Sequence, residues 1–211
     1  MIFFKRKLNN RIYLDHASAT PVDLDVLRKM DIISRKNFGN PSALYKEGVE
    51  AKMLLENSRQ IVAKSIGARP QEIVFTSGGT ESNNLAIKGV IKSYLPACRQ
   101  ASYENKIRPH LVTTNIEHAL ILETCNFLTK DNVDITIVPV EKNGIVDPKK
   151  IEKALRPETV LVSVMYANNE IGTIQPIREI AKVIRHFKKT QNTQKETGNN
   201  FYPLFHTDAC Q

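Results

Sequence analysis

No stretch of the sequence approaches the ~20 consecutive apolar residues that a membrane-spanning helix needs, so a membrane protein is not expected. The leading Met1-Ile2-Phe3-Phe4 runs directly into Lys5, Arg6 and Lys7, which reverses the charged-then-apolar order of a secretory signal. Cysteine is scarce. Cys98, Cys125 and Cys210 are odd in number and lack CxxC spacing, which argues against a disulfide framework and against a zinc site. A reducing, cytoplasmic setting without a bound metal is the expectation. GxxxxGK[ST] and GxGxxG are also missing, so the nucleotide fingerprints do not apply. The excess of basic residues, +8 over 211 residues, is dispersed rather than gathered on one element with interleaved aromatics, which argues against a nucleic-acid partner. It suits small anionic ligands.

What is present is ordinary globular composition, 41% hydrophobic and 25% charged, enough for one large α/β domain or a domain and a half. From about residue 50 apolar strands alternate with amphipathic helices, the pattern of a mainly parallel sheet with helical crossovers. Helices are expected at 51–66, ending near Gly67, then at 80–94, where Pro96 prevents the helix from continuing far, and at 117–130, 148–155 and 176–188. Strands are expected at 72–76, 110–114, 134–140, 160–166 and 202–207. The run 160–166 is nearly unbroken in its apolar character and reads as a central strand covered on both faces. Asn143-Gly144 marks a turn, and the polar stretches 97–109 and 190–200 read as surface loops.

Chemistry-bearing residues collect where strands end. Thr76-Ser77-Gly78-Gly79-Thr80-Glu81 lies between a strand and a helix, and its backbone N–H groups, with the Ser77 and Thr80 hydroxyls, could hold a phosphate. A glycine turn capped by Thr80 explains the same residues. His118 follows another strand, where a catalytic imidazole could stack on a flat ligand and pass protons at physiological pH, or simply begin a helix. Asn168 and Asn169 could hydrogen-bond a ligand oxygen without adding charge, or form a turn. Asp208 could keep a pyridine nitrogen protonated, or cap a helix, with Gln211 three residues on. Together these strand ends offer a phosphate cradle, a stacking ring, a neutral hydrogen-bonder and a carboxylate, the set that pyridoxal phosphate requires.

At this point a resemblance is plain. Tyr13-Leu14-Asp15-His16-Ala17-Ser18-Ala19-Thr20-Pro21, Asn37-Phe38-Gly39-Asn40-Pro41-Ser42, the run from Glu72 to Asn84, Glu117-His118, Asn168-Asn169-Glu170-Ile171-Gly172 and His206-Thr207-Asp208-Ala209-Cys210-Gln211 follow in order the pattern of class V aminotransferases. Within that class they resemble the cysteine desulfurases of the nitrogen-fixation and iron–sulfur-assembly type.

The resemblance implies the three-layer α/β/α large domain of fold-type I pyridoxal-phosphate transferases with a mainly parallel sheet, truncated at the C-terminus. Residues 1–20 would be an N-terminal segment shared with the small domain, and 21–211 a partial cofactor-binding large domain. It implies that Gly79 and Thr80 bind the cofactor phosphate and that His118 stacks on the ring. Asn169 would lie near the ring's oxygen substituent, Asp208 would pair with the ring nitrogen, and Gln211 would bond the phenolic oxygen. The implied activity is conversion of L-cysteine to L-alanine with the sulfur passed on as a persulfide to an acceptor or iron–sulfur scaffold protein, by an enzyme that is homodimeric when intact.

The chain departs from the pattern in what it lacks. No lysine here follows a histidine, so the Schiff-base lysine of the family's Ser-Gly-His-Lys segment is not matched, and none of the three cysteines matches the family's sulfur-accepting loop cysteine. An N-terminal fragment without activity of its own is therefore expected. The alternatives are another class V enzyme, such as a selenocysteine lyase or an aminotransferase, and a non-catalytic half that assembles with a separate C-terminal chain.

Overall fold

A computed structural model of the chain describes residues 12–105, 108–192 and 202–211. They divide into two compact units, Met1–Phe75 and Thr76–Gln211.

In the first unit, α1 (Leu24–Lys36) starts where the Asp23 carboxylate accepts from the N–H groups of Asp25 and Val26, at 2.8 and 3.3 Å. Asp25 in its first turn and Arg35 and Lys36 in its last complement the helix dipole. The sequence reading, which begins regular structure near residue 50, misses this helix. Helix α2 (Lys46–Ser65) begins earlier than expected, because Gly48 lets the loop press against it: a Cβ there would meet the Ala43 carbonyl oxygen at 2.6 Å. It stops as expected at Gly67, whose φ of 67° suits glycine.

The strand expected at 72–76 does not form. A 3-10 turn occupies Pro70–Glu72, and the backbone then extends without a ladder partner among the described residues. The Ile73 carbonyl instead accepts from Arg59 Nη1 at 2.6 Å, and that guanidinium lies 5.0 Å from the centre of the Phe75 ring. Alternating apolar residues encode an extended backbone, whereas a strand also needs a neighbour to complete its hydrogen bonds.

The second unit is the three-layer α/β/α fold. Helix α3 (Gly79–Asn105) leads to β1 (His110–Thr114), followed by α4 (Ala119–Lys130) and β2 (Asp134–Val138). Next come α5 (Pro148–Ala154), β3 (Thr159–Ser163), α6 (Ile177–Asn192) and β4 (Leu204–His206). The strands pair in parallel in the order β2-β1-β3-β4. Period-two alternation builds the layers. Leu111 and its register partner Leu161 pack with Ile87 and Ile91 of α3 and Ile121 of α4, whereas Val112 and Val162 pack with Ile151 of α5 and Ile180 of α6. Both inner strands are buried throughout, as the apolar run from Val160 anticipates.

Helix α3 corrects two expectations. It passes through Pro96 to Asn105, so 97–105 is helix rather than loop and Cys98 lies in it. Proline inside a helix costs about 3 kcal/mol locally, and Ala97, Cys98, Arg99, Gln100 and Ala101 follow it with no glycine to stop the helix. The expected loop at 190–200 falls, from 193 onward, outside the described residues, as do the first 11 residues of the expected N-terminal segment.

At the N-terminal end of the sheet, the fully buried His110 places Nδ1 2.9 Å from Thr159 Oγ1 and Nε2 2.8 Å from Thr136 Oγ1. Thr159 Oγ1 also accepts from the Arg156 N–H at 2.9 Å. Arg156 also pairs with Asp134 at 2.6 Å. The opposite end of the sheet carries the candidate site residues. There the chain leaves β1 for β2 on one side and β3 for β4 on the other, the switch of direction that opens a crevice at strand C-termini.

Candidate functional site

The exit of β1 carries Asn115, Ile116, Glu117 and His118. His118 caps α4, its Nδ1 accepting from the Leu120 N–H at 3.2 Å, and its ring is exposed. Glu117 turns inward and is 5% exposed. Its Oε1 accepts from the Thr114 hydroxyl at 2.6 Å and from the Met165 N–H at 3.0 Å, while Oε2 is buried without a hydrogen-bond partner. Burial pushes this carboxyl up to about 7, opposed by those two hydrogen bonds and assisted by the charge of Asp208.

The exit of β3 continues through Met165 and Tyr166 to the paired amides. Asn168 donates to the Ile116 carbonyl at 2.9 Å and accepts from the N–H groups of Glu170 and Ile171, each at 2.9 Å. Its amide pins the loop to the β1 exit, and Gly172 at φ 71° turns the chain onward. Asn169 stands next to it, half-buried.

The exit of β4 runs from His206 to Asp208, whose carbonyl accepts from the Tyr166 N–H at 2.7 Å. Asp208 Oδ2 accepts from Asn83 Nδ2 at 2.9 Å and Oδ1 from the Cys210 N–H at 3.1 Å. Burial acts to raise this carboxyl, but the Cys210 thiol and N–H, the Asn83 amide and the His206 charge together hold it below the usual carboxylate range. Asp208 is thus an ionised group fixed at both oxygens. Burial lowers the pKa of His206, with the charge of Asp208 opposing, and the Ser163 hydroxyl lies 2.8 Å from its Nδ1.

The glycine loop opens α3. Ser77, placed by sequence among the anion donors, gives both its N–H and its hydroxyl to Glu81 Oε2 at 2.6 Å, because a carboxylate in the first helical turn can reach back to the residues before the helix. These bonds, the Ser77 hydroxyl first, lower the Glu81 pKa. That leaves Gly79 and Thr80 at the start of a 27-residue helix, with open space beside Gly78. A Cβ on Gly79 would stand 2.9 Å from Cys210 Sγ, so the loop abuts the segment that carries Asp208 and the exposed Gln211.

Contacts therefore join Gly79 to the Asp208 segment, Asp208 to the β3 exit through Tyr166, and that exit to the His118 segment through Glu117 and Asn168. Of the two readings the sequence left open for Asn168, the structure gives it the turn. Sequence reasoning did not assign Asn83 or Glu117 supporting roles, although they stand one turn from Thr80 and next to His118. Among the described residues no cluster of three or more His, Cys, Asp or Glu could hold a metal ion. The donor set fits pyridoxal phosphate: a helix start with an open side for the phosphate, an imidazole, and a fixed carboxylate for a protonated ring nitrogen.

The family described as aminotransferase class-V matches residues 12–191. The chain is 42% identical over 204 residues to cysteine desulfurase IscS of Dictyoglomus turgidum, covering 97% of the chain and 46% of that protein. It is 42% identical over 201 residues to putative cysteine desulfurase IscS 1 of Bacillus subtilis, covering 95% and 47%. A solved NifS-like protein superposes with a TM-score of 0.80 at 36% identity, over 95% of this chain and 49% of that one. A structure described as SspA in complex with cysteine also gives 0.80, at 37% identity over 94% and 50%. The chain spans about half the length of the curated relatives it matches.

Proposed function

Since the chain belongs to the class-V aminotransferase family, we propose that it forms the pyridoxal-phosphate-holding part of a cysteine desulfurase. The observation that carries this reading is Asp208, held ionised at a strand exit beside the glycine loop. In this assignment the N–H groups of Gly79 and Thr80 bind the phosphate, and the His118 ring covers one face of the pyridine. Asn169 and Gln211 hydrogen-bond the ring oxygen, and the Asp208 carboxylate holds a proton on the ring nitrogen. The bound cofactor supplies an electron sink for bond changes at the amino-acid substrate. That substrate is L-cysteine, and the sulfur leaves for an acceptor such as an iron–sulfur scaffold protein, from an enzyme that pairs as a homodimer.

No lysine follows a histidine in these 211 residues, and no cysteine here matches the family's nucleophile. The proposal therefore assigns the chain cofactor capture and not turnover on its own. The test is calorimetric titration with pyridoxine 5′-phosphate, which has no aldehyde to react with surface lysines. The bound ring should show the ultraviolet spectrum of the nitrogen-protonated form. Asp208→Asn should lose that spectrum and weaken binding by about tenfold or more, as expected for loss of one hydrogen bond to a charged group. If the wild type shows no binding, or if Asp208→Asn changes neither spectrum nor affinity, the reading fails.

A further inference from the structure

We propose that Glu117 is a positioning residue of this site: as an uncharged acid it binds the exits of β1 and β3 into one frame for His118 and Asn169, and removing its proton loosens the hold on a phosphorylated pyridine. This rests on the pyridoxal phosphate reading above.

The geometry is specific. One oxygen, Oε1, takes both donors, from Thr114 on β1 and Met165 beyond β3, which places the acid's proton on Oε2. That atom is buried without a hydrogen-bond partner. A proton on Oε2 leaves a neutral group there, whereas ionisation leaves a bare charge in a dry place, and such a charge relaxes by turning out toward water. Turning out breaks both links. The peptide that receives Glu117 is followed at once by Tyr166, whose N–H holds the Asp208 backbone, and Glu117 itself precedes His118. Both strand exits that frame the ligand therefore depend on one carboxyl group.

The ionisable groups around it point the same way. Asp208 from the β4 exit disfavours a second negative charge, and burial, the larger cause, acts with it to push Glu117 up to about 7. Cys125 on α4 is itself pushed up to about 12, by burial first and then by the charge of Glu117. Beyond Asp208 lies His206, whose own pKa burial lowers. Glu117 thus changes charge in the range where a phosphate ester is already anionic.

The experiment titrates the full chain with pyridoxine 5′-phosphate at pH 6 and pH 8.5, comparing wild type with Glu117→Gln. Glutamine keeps the accepting oxygen and never ionises. Affinity of the wild type should fall between the two pH values by about tenfold more than that of the variant, and the two should agree within about twofold at pH 6. Equal pH dependence in both proteins overturns the role of Glu117 and leaves the cofactor reading intact, whereas absence of binding by either protein at either pH overturns the cofactor reading itself. A carbon-13 titration of the wild-type chain tests Glu117 without a variant. A carboxyl midpoint near 7 supports the proposal, and a midpoint near the ordinary 4.5 overturns it.

Discussion

His110→Gln should make this protein more resistant to acid, by an amount that grows as pH falls. The wild-type ring is fully buried between two threonine hydroxyls. Burial, then the Arg156 charge, pushes its pKa down from 6.5 to about 4, with Asp134 opposing. The unfolded chain accepts a proton near 6.5, which the folded chain refuses until about 4. The linked stability is therefore complete above pH 6.5 and drains away as pH falls toward 4. About 2.5 pH units at ~1.4 kcal/mol each make it about 3 kcal/mol.

Glu117 is linked in the opposite sense. Its folded pKa is raised from 4.5 to about 7, so its contribution is complete below 4.5 and is lost as pH rises to 7. Between about pH 4.5 and 6.5 the two slopes cancel, and on their account wild-type stability is level. Glutamine at 110 leaves the Glu117 slope unopposed. Urea unfolding followed by circular dichroism from pH 4 to 8 measures this. The stability of the variant minus that of the wild type should climb by ~1.4 kcal/mol for each unit of pH lowered below 6.5. Parallel curves across that interval would refute the reasoning.

Two further outcomes are expected. Iodoacetamide at neutral pH, read by peptide mapping, should label the exposed Cys210 while leaving the buried Cys125 unmodified in the folded chain. Equal labelling would mean that α4 does not seal that thiol. Asn168→Ala removes three hydrogen bonds and should cost up to about 3 kcal/mol in urea unfolding, at roughly 1 kcal/mol per bond. A cost below about 0.5 kcal/mol would show that the 168–172 turn holds without its amide.

The sheet was legible because its evidence is local and periodic. Strands 110–114 and 134–138 and the helices that cover them declare themselves by apolar spacing, and Gly67 and Gly144 by the conformations only glycine adopts readily. What escaped depends on partners. Residues 72–76 have the alternation of a strand but no ladder, and α1 buries no residue although Leu24, Leu27, Met30 and Ile33 recur at helical spacing. Pro96 misled because a proline weakens one helical turn without deciding the turns on either side. The sequence placed His118 and Asp208 just beyond strands, and the structure has them at the exits of β1 and β4. The role of Glu117 was not legible, since a carboxylate before a helix reads as solvated, and only packing shows it turned inward. Ser77 reads as an anion donor until Glu81, four residues on, is seen to have taken it.

Strand β4 has a kinetic consequence. It is three residues long and hydrogen-bonds to β3 on one side alone among the described residues, so it belongs to the part of the sheet that opens most readily. Asp208 follows it by two residues, so when β4 undocks the carboxylate proposed to pair with the ring nitrogen leaves with it. Under the proposed cofactor assignment, capture of the ligand and closure of the sheet edge are one equilibrium, in which ligand bound only by the closed form lowers the population of the open one by mass action. Amide hydrogens of Val164 and Tyr166, which donate to His206 and Asp208, would report that closure directly as slowed exchange.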